Sequence, residues 1–279
     1  MKAKEEFINL EEPKEKFNKA VKIIKSICRI KNYAMAFSGG KDSCLMDAIC
    51  IEAGVKVPKV YNNTTIDPPG TIEFCRRHGC KIVTPKKTFL QLVEEKGFPT
   101  MFRRFCCKEL KEQYISDYLL TGVRKDESKK RGKRYDCMED TYIYTKKVRT
   151  IRFMPLLYFT DDDVEWCIKN YKIEVPSLYY DDNGQFDVKR RLGCIGCPLQ
   201  GDRGKSDFKQ YPKLLEQIIK RGVKFHINHG RTAHDAYLNI VYNIFYSNRK
   251  YEKYLQTYQG LFETDPKVII KETFGIVLD

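Results

Sequence analysis

The hexad Ser38-Gly39-Gly40-Lys41-Asp42-Ser43 follows the apolar run Tyr33-Ala34-Met35-Ala36-Phe37 and precedes Cys44-Leu45-Met46-Asp47-Ala48-Ile49-Cys50. The first flank reads as a buried strand and the second as a helix with Ser43 near its cap. A strand that breaks at paired glycines and enters a helix gathers backbone N–H groups at the helix's positive end, which suits a phosphate group. The spacing differs from the Walker A loop, which needs Gly-x-x-x-x-Gly-Lys-Ser/Thr. A second group with chemical potential is Cys106-Cys107, followed 87 residues after Cys107 by Cys194-Ile195-Gly196-Cys197. Four thiolates suffice for a cubane iron–sulfur cluster or a structural zinc, and they also admit redox-active thiols. Vicinal cysteines are awkward for zinc, whose Cys pairs are usually two to four residues apart.

The elements that must position these residues are legible as alternation. Helical spacing covers residues 14–30, and strands are expected at 33–37, 57–62, 80–83 and 118–123. Helices are expected at 43–53, 71–78, 88–95 and 107–117 between them. This rhythm predicts an α/β fold with a doubly wound parallel sheet, whose ligands sit beyond the carboxyl ends of the strands. Ser38–Ser43, Asn62–Gly70 and Gly122–Ser128 all fall at that edge of the expected sheet. After Pro198 the pattern turns helical (208–221 and 232–256), which gives a helical C-terminal appendage. The expected division is an N-terminal helix over 1–30, a nucleotide-binding domain over 31–200 and a helical region over 201–279.

Composition frames the class. The chain has 279 residues, 42% of them hydrophobic, and no apolar stretch approaches the length of a membrane span. Its charged start, Met1-Lys2-Ala3-Lys4-Glu5-Glu6, lacks the apolar segment of a signal peptide, so a soluble cytoplasmic protein is expected. Eleven cysteines in such a chain point to a metal site or reactive thiols, with Cys28, Cys50, Cys75, Cys80 and Cys167 reading as core fillers and Cys44 as ambiguous. The net charge is +14, and Arg124 to Arg152 holds eleven basic against five acidic residues, with Tyr135, Tyr142 and Tyr144 interleaved. Such a stretch fits a nucleic-acid backbone with bases free to stack, and equally a solvated loop that keeps the protein soluble. His226, His229 and His234 span a helix boundary with no acidic residue at ligand spacing, which favours structural or nucleic-acid contacts over a metal.

Six segments taken together resemble the phosphoadenosine phosphosulfate reductase family of PP-loop (adenine nucleotide α-hydrolase-like) proteins. They are the SGGKDS loop at 38–43, Thr64-Thr65-Ile66-Asp67-Pro68-Pro69-Gly70-Thr71, Phe105-Cys106-Cys107-Lys108-Glu109-Leu110-Lys111, Gly122-Val123-Arg124-Lys125-Asp126-Glu127-Ser128, Pro155-Leu156 with Asp163-Val164-Glu165-Trp166, and Gly193-Cys194-Ile195-Gly196-Cys197-Pro198. The resemblance implies a loop that grips pyrophosphate and leaves the α-phosphate of ATP or an adenosine sulfonucleotide open to attack. It implies a [4Fe–4S] cluster on Cys106, Cys107, Cys194 and Cys197, as in the branch acting on adenosine phosphosulfate, with Arg103, Arg104 and Lys108 nearby to balance charge. The family's reductases also use a cysteine in a C-terminal Glu-Cys-Gly-x-His string, whereas no cysteine follows Cys197 here. Reduction by the standard route is therefore not expected, unless Cys44 or Cys137 substitutes.

Role by role, Ser38, Gly39, Gly40 and Ser43 are expected to cradle phosphate oxygens. Lys41 supplies a point charge or faces solvent, and Asp42 caps the helix or holds Mg²⁺. The planar fork of Arg124 suits the α-phosphate or a sulfonyl group, and Asp67 reads as a magnesium or ribose ligand or as a turn residue before Pro68-Pro69. The expected function is ATP pyrophosphatase or adenylating chemistry in sulfur transfer to a nucleic acid. A sulfonucleotide reductase with a relocated nucleophile and a non-catalytic nucleotide-sensing subunit are the alternatives. The partner set is an adenine nucleotide, with room for a nucleic acid, a sulfur-donor protein and a second copy of the chain.

Overall fold

Six strands form among the described residues, the first four from short, largely apolar runs: Ala34–Ala36 (β1), Lys59–Asn62 (β2), Lys81–Val83 (β3), Tyr118–Leu120 (β4), Glu139–Ile143 (β5) and Arg149–Phe153 (β6). The helices are Pro13–Ile30 (α1), Lys41–Glu52 (α2), Thr71–Arg77 (α3), Phe89–Lys96 (α4), Lys129–Arg134 (α5), Asp161–Asn170 (α6), Asp202–Gln210 (α7), Pro212–Asn228 (α8), Ala233–Phe245 (α9) and Pro266–Phe274 (α10). These assignments come from a computed structural model, which describes residues 10, 12–245 and 265–278. The chain divides into two units, one from Met1–Asn63, Pro69–Val83 and Gln113–Leu192, the other from Thr64–Pro68, Thr84–Glu112 and Gly193–Asp279.

The first unit holds the sheet, in the order β3-β2-β1-β4-β6-β5. All pairings are parallel except β5 with β6. Met35 of β1 lies opposite Lys59 of β2 on one side and Leu120 of β4 on the other. The strand order therefore reverses at β1, and such a reversal opens a crevice beyond the strand ends. Met35, Phe37, Leu45, Met46, Ile49, Leu120 and Met154 fill the core here, all at 2% exposure or less, which fixes β1 and α2 against one another. Helix α1 buries Phe17, Ala20 and Ile24, the i, i+3, i+7 stripe of an amphipathic helix. Its Lys16 ammonium reaches Asp163 at 2.6 Å, a buried pair that also receives the Thr160 N–H and hydroxyl.

The second unit is mostly helical. Phe89, Leu92, Val93, Phe98, Phe208, Leu215, Ile218 and Ile240 form its core. Helix α4 begins in a capping box between Thr88 and Gln91. Gly222 permits α8 and α9 to approach closely, because a Cβ there would collide with Ile240. The C-terminal helices thus share a unit with 64–68 and 84–112, segments that the alternation alone assigned to the nucleotide-binding domain.

Several expected boundaries move, and the helix expected over 208–221 is broken at Tyr211 into α7 and α8. Helix α2 starts at Lys41 rather than residue 43, since Gly40 is extended (φ −73°, ψ 156°) and Lys41 is already helical. The helix expected over 107–117 contracts to a π-helical turn at Cys107–Lys111. The helix expected over 232–256 is seen as α9 through Phe245, and the remainder lies outside the described residues. Polar, charged β5 and β6 were not legible as strands. Among the described residues no helix is long and apolar enough to cross a membrane.

Candidate functional site

The loop between β1 and α2 is braced by its own side chains. The Ser43 hydroxyl donates to the Gly40 carbonyl at 2.8 Å, and the Gly40 N–H donates to Ser38 Oγ at 3.3 Å. Gly39 has φ +73°, and a Cβ there would meet Cys75 Sγ at 3.3 Å, so both backbone shape and space call for glycine. The first N–H groups of α2 have no intrahelical acceptors and open toward this loop. Asp42, the second residue of the helix, makes no side-chain cap. The capping alternative for Asp42 is thereby corrected: its carboxylate is drawn sideways to a guanidinium instead.

That guanidinium belongs to Arg124, which is 1% exposed despite its charge. Its Nε donates to Asp42 Oδ1 at 2.6 Å, Nη2 to Asp161 Oδ1 at 2.6 Å and Nη1 to the Phe159 carbonyl at 3.2 Å. Burial opposes the charge, but the Asp42 and Asp161 carboxylates outweigh it and hold the guanidinium's pKa above its ordinary value. The backbone around it is clasped as well. The Arg124 N–H donates to Glu127 at 3.1 Å, and the Asp161 N–H donates to Asp126 at 2.9 Å. Gly122 makes the approach to Asp42 possible, since a Cβ would lie 3.2 Å from its backbone and Cβ. In the Glu-Ser pair of this segment, Glu127 also pairs with Arg131 and Ser128 caps α5.

Lys41 is buried at 4% exposure, so the solvent-facing alternative is corrected. Its ammonium lies 3.7 Å from Asp42 and 5.6 Å from the centre of the Tyr179 ring. Burial lowers its pKa, and Asp42 partly restores it. Tyr179 is the residue that sequence reasoning missed. Its phenol oxygen accepts the Lys41 N–H at 3.2 Å and the Leu192 N–H at 3.1 Å, 138 residues from the loop it supports. Burial pushes its pKa up to about 12. No sequence signal marks it, because the contact is entirely tertiary.

The four cysteines named from spacing belong to the second unit. Cys107 opens the π turn directly after Cys106, and with Cys194 and Cys197 they line one cavity of ≈ 30 Å³, beside Thr64, Lys111 and Ile195. No carboxylate or imidazole lines it, so the donor set is all sulfur. Glycine is required inside Cys-x-x-Cys, since Gly196 has φ +69° and a Cβ there would collide with the Phe208 ring. The Cys194 thiol donates to Thr64 Oγ1 at 3.6 Å. A hydrogen bond from Cys106, aided by Lys111 and Arg104, lowers the pKa of the Cys107 thiol against burial, while burial pushes Cys194 up to about 12. Among the described residues no three or more Cys, His or acidic side chains are drawn together closely enough to hold a metal ion as they stand. In its chemistry the all-thiol donor set suits an iron–sulfur cluster. Asp42 does not fit Mg²⁺ in the same way, because its two oxygens face Arg124 and Lys41.

Asp67 also lies in the second unit, where its carboxylate accepts the Thr64 N–H at 3.4 Å and raises the pKa of Cys194. The structure thus brings Ser38, Gly39, Gly40, Lys41, Asp42, Ser43 and Arg124 together in the first unit, and the four cysteines with Asp67 in the second. Of the other cysteines, Cys44, Cys50, Cys75, Cys80 and Cys167 are buried and Cys28 half-buried, in keeping with core filling; Cys137 is exposed.

Comparison with known proteins bears on the family of the chain. Residues 32–200 match the model of the phosphoadenosine phosphosulfate reductase domain. The uncharacterized protein MJ0973 of Methanocaldococcus jannaschii is 29% identical over 226 residues, which cover 73% of this chain. The match takes in 52% of that relative, so the chain spans about half the length of the curated relative it matches. A phosphoadenylyl-sulfate reductase from Candida auris, solved with phosphate, superposes at a TM-score of 0.48 with 14% identity, over 70% of this chain and 93% of that one. An FMN adenylyltransferase from Candida glabrata, solved with FMN and an ATP analogue, gives a TM-score of 0.41 with 15% identity, over 69% and 68%. With its matched domain spanning the phosphate loop, the Arg124 segment and all four cysteines, the chain belongs to the phosphoadenosine phosphosulfate reductase domain family.

Proposed function

We propose that this protein cleaves ATP between its α- and β-phosphates and adenylates an acceptor, in a sulfur transfer to nucleic acid. The observation that carries the reading is the loop at 38–43, a helix start whose N–H groups and hydroxyls gather beside a buried lysine at the sheet's switch point. In this scheme Ser38, Gly39, Gly40 and Ser43 hold the pyrophosphate portion, and Lys41 offsets its charge. An acceptor oxygen forms a new bond to the α-phosphorus as the α–β bridging bond breaks. That bond's electron pair leaves on pyrophosphate, and the acceptor's proton passes to solvent. A sulfur nucleophile from a donor protein then displaces AMP. The +14 charge suits a polyanionic acceptor.

Arg124 acts here as a positioning residue. With Nε and Nη2 committed to Asp42 and Asp161, it fixes the start of α2. Tyr179 has a distinct use: its oxygen accepts two N–H groups, which leaves the phenolic hydrogen to donate to a phosphate oxygen. Cys106, Cys107, Cys194 and Cys197 would hold a [4Fe–4S] cluster, which when bound supplies electron-transfer chemistry beside the sulfur step.

The reductase alternative needs a nucleophilic thiol. Cys44 is unsuited, since its Sγ is buried against the Gly39 carbonyl at 3.6 Å and burial pushes its pKa up. Cys137 is the exposed candidate for that role. A sensor that binds nucleotide without turnover is the remaining outcome.

Nucleotide binding is tested by melting. ATP and AMP should raise Tm, because a ligand at a hundredfold its Kd stabilises the folded state by about 2.7 kcal/mol. Gly40→Ala places a Cβ 3.3 Å from both Ser38 Oγ and the Tyr179 oxygen and should abolish the shift. Tyr179→Phe strands two N–H groups and should lower both the basal Tm and the shift. An undiminished shift in Gly40→Ala would place the phosphate site elsewhere.

A further inference from the structure

The β5–β6 hairpin forms one edge of the sheet, and among the described residues β5 is paired on one side only. Its register places Tyr142 opposite Thr150 and Asp140 opposite Arg152, so Tyr142, Tyr144 and Arg152 share a face. The rings of Tyr142 and Tyr144 lie 4.8 Å apart, and Tyr114 from the preceding loop meets Tyr144 at 5.8 Å. Arg152 stands 4.6 Å over the Tyr142 ring. The result is an aromatic ladder at a sheet edge, with Tyr114 47% exposed and Tyr142 and Tyr144 half-buried.

Basic groups outnumber acidic ones around this ladder, where Asp117 accepts the Tyr114 hydroxyl at 2.8 Å and Asp140 pairs with Arg152. From Thr141 to Phe153 the sequence carries Lys146, Lys147, Arg149 and Arg152 and no acidic residue. Arg152 is spent on Asp140, but Lys146, Lys147 and Arg149 have no carboxylate partner among the described residues. The turn that presents them is ordered by Thr145, whose hydroxyl accepts the Lys147 N–H at 3.2 Å and the Val148 N–H at 3.1 Å. By contrast, the denser cluster on α5 is partly consumed, with Arg131 on Glu127 and Arg134 against Tyr135 at 5.1 Å.

We infer that this hairpin is a docking platform for single-stranded nucleic acid. Unpaired bases offer π faces to Tyr114, Tyr142 and Tyr144, while the three free cations follow the phosphates. A duplex hides its bases in the stack and could use the cations alone. The inference rests on the proposed function for the role of the polymer, as the acceptor, and not for its recognition. Because β5 runs antiparallel to the strands that end at the phosphate loop, the Tyr144–Val148 turn lies at the opposite end of the sheet. The platform therefore anchors the polymer and takes no part in nucleotide binding.

The test is fluorescence anisotropy with a labelled oligothymidylate and a duplex of equal length, across a salt series. The full chain should bind the single strand more tightly than the duplex. Lys146→Ser with Lys147→Ser and Arg149→Ser should reduce the salt slope by about 2, given roughly 0.7 per phosphate on a single strand. Tyr142→Ala with Tyr144→Ala should weaken binding by at least about fivefold per stacked base with the slope unchanged, and Tyr144→Phe should restore its share. Each variant should keep the ATP-induced rise in Tm, which shows that it is folded. Equal affinity for single strand and duplex, or unchanged binding in the tyrosine variants, would overturn the platform. So would an extended peptide on the β5 edge displacing no oligonucleotide while binding more tightly. If the oligonucleotide binds as described but ATP is never turned over, the platform stands and the adenylation reading fails.

Discussion

Arg124→Ala is expected to lower stability by about 3 kcal/mol and to abolish the ATP-induced rise in Tm, because truncating one member of a buried ion network leaves its partners uncompensated. The side chain is 1% exposed, and two carboxylates converge on it at 2.6 Å. The figure sits at the low end for buried pairs, since Asp161 is 40% and Asp42 19% exposed and water would take up part of the lost charge. Arg124→Lys should recover little, as a single ammonium cannot span both carboxylates in the guanidinium's geometry. Urea unfolding of the three proteins measures this. Asp42→Asn should relieve part of the Arg124→Ala loss, which a double-mutant cycle would show as coupling. A loss below 1 kcal/mol would mean that the Asp42–Arg124–Asp161 network does not hold the loop.

Anaerobically purified protein should be brown and contain about four iron per chain, with a broad visible absorbance that fades in air. Cys107→Ser and Cys197→Ser should each remove the colour, since each takes one thiolate from an all-sulfur set in the same cavity. The effect should be close to complete, because no His, Asp or Glu lines the cavity to replace the missing ligand. Iron analysis and absorbance report it directly. A colourless protein with stoichiometric zinc would contradict the cluster, and so would full iron in both variants.

Much of the fold could be read in the sequence where apolar strands alternate with helices. The β1 segment, the glycine pair and α2 follow from local chemistry, as do β2, α3 and β3. The edge hairpin was hidden because Glu139-Asp140-Thr141-Tyr142-Ile143 looks like solvated loop, and only pairing with β6 makes it a strand. Cys107–Lys111 has helical composition, yet it closes as a π turn that ends at Glu112. The loop after β2 was read at the nucleotide edge, but Thr64–Pro68 belongs with the cysteines, where the Ile195 N–H donates to the Ile66 carbonyl at 2.8 Å. The candidate residues that lie on one short segment were legible as a group. Those held by distant tertiary contact were not: Tyr179 sits under Lys41 from 138 residues away, and the partners of Arg124 are Asp42 and Asp161.

The identity of the products formed from ATP tests the central claim most directly. ATP labelled at the α-phosphate should be incubated with the anaerobically prepared protein, a single-stranded oligonucleotide and a sulfur donor. Unlabelled pyrophosphate should appear together with label in AMP or on the oligonucleotide, and both should be lost in Gly40→Ala. Release of ADP and inorganic phosphate would contradict cleavage between the α- and β-phosphates. Absence of turnover alongside thioredoxin-dependent sulfite release from adenosine phosphosulfate, lost in Cys137→Ser, would make the protein a reductase instead.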